Sequence, residues 1–255
     1  MKKLIPYIIA GAAAVTPFTA SATSVGLELA LLTDVSGSVD AAEYALQKGG
    51  YVAAFQNPII HAAVAGISGG IAVAYYEWSN AGQQVTKVNW FHIFDAASSN
   101  AFAAILNASN RSFASSTAPG NAINFVRPLF GTETGGTSND FESPRQVIDV
   151  SGDGAENDGV STLAARNAAL AAGVDAINGL PILGEPGLQV WYQNNIQGGG
   201  GSFTLPATFD TFAATIVTKI GREITPEPVP EPASLALLGI GLVGFATLRN
   251  KKIAV

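Results

Sequence analysis

The apolar stretch Val25 to Leu32 reads as a buried β-strand, and it runs into the polar loop Thr33-Asp-Val-Ser-Gly-Ser-Val39 just before a helix-forming segment opens at Ala41. A buried strand that passes through a short loop into a helix is the first half of a βα unit. The alternation recurs along the chain. Further strands are expected at Ile71 to Trp78, Val85 to Ile93, Gln146 to Ser151 and Val174 to Ile182, the second of these pairing at the sheet edge. Helices are expected over Ala41 to Phe55, Asn100 to Leu106, Asn121 to Phe130, Ser161 to Ala172 with Gly173 as its stop, and Phe209 to Arg222. Such an order argues for an α/β fold, a doubly wound, mostly parallel sheet flanked by helices.

The loop after the first strand carries chemistry as well as topology. Asp34, Ser36 and Ser38 stand at alternate positions, so one carboxylate and two hydroxyls can converge on a point, a set of hard oxygen ligands that suits Mg²⁺ or Mn²⁺. A plain polar turn is the competing reading, with Asp40 capping the next helix, Glu43 completing a capping box and the serines satisfying backbone groups. The metal reading needs partners, and two are present: Thr117 in Thr-Ala-Pro-Gly-Asn-Ala-Ile and Asp153 in Val-Ile-Asp-Val-Ser-Gly-Asp-Gly. In open α/β sheets ligands gather outside the carboxyl ends of the strands, and all three loops can lie on that one edge.

With these three motifs the chain resembles a von Willebrand factor type A domain bearing a metal-ion-dependent adhesion site. The matching residues are Asp34, Ser36 and Ser38, then Thr117 ahead of Gly120, Ala122 and Ile123, then Asp153 and Gly154. The resemblance implies that Ser36, Ser38 and Thr117 touch the metal, that Asp34 and Asp153 act directly or through water, and that one coordination position stays open for an acidic group of a partner. The core also resembles a bacterial type A subfamily of uncharacterised function, through Glu77-Trp-Ser79, the segment 147–154, and the closing helix with Lys219, Arg222 and Glu223.

The chain reads Ser-Gly-Asp-Gly where many type A domains read Thr-Asp-Gly, which makes Asp149 a competitor of Asp153. Asp149 lies inside the apolar run Val147 to Val150, where it would be buried in the strand or turned to the other face, so Asp153 is the expected ligand. A calcium-loop reading of the same segment fails at its twelfth position, where Val160 stands in place of a bidentate Glu.

The two ends read as targeting signals. Lys2 and Lys3, the apolar segment Leu4 to Val15 and Ala20-Ser-Ala22 form a secretory signal peptide over residues 1–22, followed by a type A-like domain over 23–224. Cysteine is absent, so despite export nothing depends on disulfides. A Pro-rich linker over 225–232 cannot be helical; an apolar segment over 233–248 and a basic tail over 249–255 follow. Sixteen apolar residues rise about 24 Å against roughly 30 Å of hydrocarbon, a gap that snorkelling by Arg249 and Lys251 can close, with their charge on the cytoplasmic side. This tail resembles the PEP-CTERM sorting signal through Val229, Pro230, Glu231 and Pro232. It implies an exosortase as partner, a membrane segment before processing, and a destination in the periplasm, outer surface or extracellular matrix of a Gram-negative bacterium.

Residues 23–231 hold eight basic against nineteen acidic side chains, a net charge of −11, which argues against nucleic acid as a partner. Six carboxylates, Asp140, Glu142, Asp149, Asp153, Glu156 and Asp158, crowd into nineteen residues. They read equally as a solvated acidic loop or as a rim that concentrates cations. Trp78, Trp90 and Trp191 read as core, and Gly198 to Gly201 as a flexible loop. His61 and His92 lack motif context, so neither a zinc site nor a serine triad is expected and the chain does not read as an enzyme.

The expectation is an exported adhesion or interaction protein that binds an acidic protein or matrix ligand through Mg²⁺ or Mn²⁺. A structural matrix protein with a fold-stabilising metal is the main alternative, and a metal-dependent hydrolase the remoter one.

Overall fold

The computed structural model describes residues 22–225. The signal-peptide segment before residue 22 and the linker, apolar segment, sorting motif and basic tail beyond residue 225 lie outside the described residues. Among the described residues, no helix is long and apolar enough to cross a membrane.

The strands are β1 (Thr23–Ser24), β2 (Leu27–Asp34), β3 (Ile71–Trp78), β4 (Gln84–Ile93), β5 (Phe141–Glu142), β6 (Gln146–Gly152), β7 (Ala176–Pro181) and β8 (Gly198–Gly199). The helices are α1 (Ala41–Phe55), α2 (Pro58–Ala65), α3 (Ala96–Asn107), α4 (Pro119–Val126), α5 (Thr162–Ala171), α6 (Leu188–Asn195) and α7 (Phe212–Ile224), with a 3₁₀ segment over Arg127–Thr134. Six strands form the central sheet in the order β4-β3-β2-β6-β7-β8. The pairs β2/β3, β2/β6 and β6/β7 are parallel, whereas β3/β4 and β7/β8 are antiparallel.

Helices cover both faces, which is why every residue of β2, β3, β6 and β7 is buried. Strand periodicity sorts the side chains. Leu27, Leu29, Leu31, Val73, Tyr75 and Val147 pack against α1, α2, α3 and α7. On the opposite face Ala30, Leu32, Tyr76, Trp78, Ile148 and Val150 pack against α4, α5 and α6. Trp78 is fully buried, while Trp90 and Trp191 are partly buried against the same cluster.

Several boundaries differ from the sequence expectations. The first long strand runs Leu27–Asp34 rather than Val25 to Leu32, because parallel pairing carries it on until Asp34 stands opposite Trp78. The helix expected through Phe130 is α-helical only to Val126, since Pro128 lacks the N–H that an α-turn needs there. Strand β7 is shorter than the expected Val174 to Ile182, and α7 is displaced toward Ile224. Two helices were not expected. Asn57 caps α2 and Pro58 opens it, a signal the sequence does carry; α6 starts from a left-handed Gly187 with no side-chain cap and carries no such signal. Gly198 and Gly199, expected in a flexible loop, pair with β7.

Candidate metal centre

Because β2, β3, β6 and β7 run parallel, their carboxyl ends share one edge, and the three motif loops converge there. Asp34 ends β2 and is fully buried; its Oδ1 accepts the Ser36 N–H at 2.7 Å, which closes the loop on itself. The Ser36 and Ser38 hydroxyls are 3.2 Å apart, and Ser38 Oγ donates to Asp153 Oδ1 at 2.6 Å. Thr117 lines one cavity of about 490 Å³ together with Ser38 and Asp153. The structure thus brings together Asp34, Ser36, Ser38, Thr117 and Asp153.

Asp149 goes elsewhere. It lies on the face of β6 toward α7, fully buried, with Oδ1 2.6 Å from Lys219 Nζ. The acidic run of the sequence is likewise dispersed: Asp140 joins the β1–β5 edge and Asp158 Oδ2 accepts the Ala81 N–H. The carboxylates that do ring the cavity are Glu43, Asp153, Glu156 and Glu185, two of them from outside that run. Each is tied to structure as well. Glu43 completes the capping box with Asp40, Glu156 accepts from Thr162, and Glu185 Oε2 accepts the Ala155 N–H at 2.9 Å.

A second layer fixes the loops. Arg111 Nη2 donates to the carbonyls of Val35 at 2.9 Å and Ser36 at 2.7 Å, while its Nε donates to Phe113. Ser79 Oγ donates to Ser116 O and accepts the Ser115 N–H, and the Ala118 N–H reaches Ser79 O, so the end of β3 holds the threonine loop. Asn157 Oδ1 accepts the Thr117 N–H at 2.8 Å. Arg111, Asn157 and Glu185 have no local sequence signal, because each acts on a loop distant in the chain.

The site's electrostatics are those of crowded, desolvated acids. Burial pushes the Asp34 carboxyl up to about 7, with the charge of Asp153 adding to the rise and the Ser36 N–H opposing it. Asp153 is raised as well, first by burial, with Glu43 and Glu185 adding repulsion. Asp34 Oδ2 is buried and has no hydrogen-bond partner among the described residues. Two carboxylates and three hydroxyls make an all-oxygen donor set, and together with that lone buried oxygen they fit a hard divalent cation. Among the described residues, no three His, Cys, Asp or Glu side chains gather closely enough to hold a metal by themselves, so an ion here relies on the hydroxyls. His61 and His92 bond the carbonyls of Phe55 and Gly69, at the amino edge of the sheet and away from Ser36 and Ser38.

Residues 24–228 match the family model described as protein of unknown function (DUF1194), and residues 228–252 match the PEP-CTERM protein-sorting motif. No curated protein matches the chain. Among solved structures it is similar to proximal thread matrix protein 1 from the mussel byssus, at 14% identity and a TM-score of 0.56 over 80% of this chain and 49% of that one. A structure of the same mussel protein with a zinc-occupied MIDAS motif is similar at 17% identity and a TM-score of 0.55, over 80% and 46% of the two chains. The pilus adhesin SpaC from Lactobacillus rhamnosus GG is similar at 14% identity and a TM-score of 0.55, over 78% of this chain and 30% of the adhesin. At such identities the likeness is one of fold, and the chain spans about half the length of the mussel protein and less of the adhesin. The fold is the α/β architecture, a mostly parallel sheet between helices, that the strand–helix alternation predicts.

Proposed function

The chain belongs to the DUF1194 family of proteins of unknown function and carries a PEP-CTERM sorting motif, and we propose that it is an exported structural protein of the cell envelope or its matrix, whose domain over residues 23–224 is tied together by a divalent cation. The residues that would hold the ion are Asp34, Ser36, Ser38, Thr117 and Asp153. When bound, it supplies positive charge among oxygens drawn from three separate loops. One observation carries this reading: among the described residues, Asp34 Oδ2 is a buried carboxylate oxygen with no hydrogen-bond partner. The donor chemistry favours Mg²⁺ or Mn²⁺, while the mussel matrix protein of the same fold has been seen with zinc in its MIDAS motif.

Capture of an acidic partner at the open metal position is the second reading, favoured by the cavity that leads to Ser38 and Thr117. Glu43, Glu156 and Glu185 around that cavity oppose it, because they repel a ligand carboxylate while attracting a cation. This is why the structural role, rather than adhesion, is the leading proposal. No reaction step is assigned to the site.

The deciding experiment is to follow melting of the full chain in EDTA, Mg²⁺ and Mn²⁺, with Asp34→Ala beside it. The structural role predicts that cation raises the melting temperature of the wild type only. Since any ion bound by the folded state raises its melting temperature, adhesion is told apart by capture of a carboxylate-bearing matrix ligand that needs the cation and that Asp34→Ala abolishes.

A further inference from the structure

Two orphaned oxygens flank the last residue of β6. Asp34 Oδ2 and the Tyr192 hydroxyl are both buried and both lack a hydrogen-bond partner, and the two residues are fully inaccessible to solvent. They converge on Gly152, the last residue of β6. A β-carbon placed there would stand 2.6 Å from Asp34 Oδ2 and 2.8 Å from the Tyr192 hydroxyl. The next strand makes a similar allowance, since a β-carbon on Gly179 of β7 would stand 2.8 Å from Cδ1 of the same ring. Strand periodicity puts Gly152 and Gly179 on one face of the sheet. Two glycines on neighbouring strands therefore bare the sheet for the Tyr192 ring and leave its hydroxyl and Asp34 Oδ2 on either side of the space a β-carbon at 152 would fill.

We propose that Tyr192 is a positioning residue of the metal centre, its hydroxyl, unpartnered beside Gly152 in this structure, turning to donate to Asp34 Oδ2 when the cation is bound and holding the carboxylate in the orientation that binding uses. The proposal rests on the cation reading given above. Asp34 Oδ1 is already committed to the Ser36 N–H. A carboxylate oxygen has two lone pairs, so one donor on Oδ2 fixes the plane of the group and leaves a lone pair for the ion or its water. The same geometry gives a role to the extra residue in Ser-Gly-Asp-Gly. Position 152 must lack a β-carbon because Asp34 and Tyr192 fill its place, and Asp153 follows it.

Calorimetric titration of Mn²⁺ into the full-length wild type, Tyr192→Phe and Gly152→Ala tests this, with melting temperatures of the three metal-free proteins as a second readout. Loss of an outer-shell donor is expected to weaken Mn²⁺ about 10- to 100-fold in Tyr192→Phe, with the metal-free melting temperature no lower than wild type. Gly152→Ala is expected to weaken Mn²⁺ as well, since its methyl group displaces Asp34. Wild-type affinity in Tyr192→Phe, with or without a fall in melting temperature, would overturn the assignment and leave Tyr192 a packing residue. Absence of saturable binding by the wild type would overturn the cation reading itself, and this proposal with it.

Discussion

Ser38 donates to Asp153 at 2.6 Å across 115 positions of sequence, joining the loop after β2 to the loop after β6. The same two residues belong to the proposed donor set, and that hydrogen bond leaves lone pairs on both for a cation. Binding should then add contacts of these oxygens to the ion beside the bond between them. Saturating Mg²⁺ at about 100 times its Kd is expected to stabilise the domain by roughly 2.7 kcal/mol. Asp153→Ala should remove that increment, which paired thermal melts in Mg²⁺ and EDTA would measure.

Asp34→Asn separates the charge from the shape. The amide oxygen can still accept the Ser36 N–H, but the buried charge is gone. At pH 8 the metal-free variant is expected to be at least as stable as wild type, while its response to Mg²⁺ disappears. Urea titration of both proteins in EDTA and in Mg²⁺ checks the pair of outcomes; a variant that still responds to Mg²⁺ would remove Asp34 from the site.

Lys219 sits between two acids, 2.6 Å from Asp149 and 2.5 Å from Glu223 Oε1, with all three side chains inaccessible to solvent. Lys219→Met removes the only positive charge of the three and leaves the acids to face each other in the interior. The expected cost is about 3–5 kcal/mol by chemical denaturation. Cation affinity at the loop edge should change little, because the cluster lies on the opposite face of the sheet.

Glu223 gives that cluster a pH dependence. Burial, with the charge of Asp149 adding to it, pushes its carboxyl up to about 7 from the ordinary 4.5, while Lys219 opposes the shift. Between those values the folded chain holds a proton that the unfolded chain has released. This contribution to stability is therefore complete below about pH 4.5 and is lost as pH rises through 7, on the order of 3 kcal/mol in all. Glu223→Gln should remove this part of the slope between pH 5 and 8 while the part from Asp34, also raised to about 7, remains; an unchanged slope would mean that the proton resides elsewhere.

Local chemistry made much of this legible. Asp40 and Glu43 announce the start of α1 as a capping box, and the structure forms it with both reciprocal bonds. Ile71 to Trp78 reads as a strand from its β-branched and aromatic content, and it is one over that whole span. The α6 helix is not legible in this way, because its eight residues bury only Leu188 and Tyr192, too thin a stripe to show a period.

The sequence by itself determined the alternation of strands and helices, the oxygen-rich loops at Asp34, Thr117 and Asp153, and the targeting character of the C-terminal motif. These follow from propensity, periodicity and spacing, which act over a few residues. Only the tertiary structure decided that Asp149 faces Lys219 while Asp153 faces Ser38, that Glu43 and Glu185 rather than Asp140 and Asp158 ring the cavity, and that Tyr192 and Asp34 share the space beside Gly152. A period of two assigns alternate residues of β6 to opposite faces, but which helix covers each face depends on packing between segments far apart in the chain.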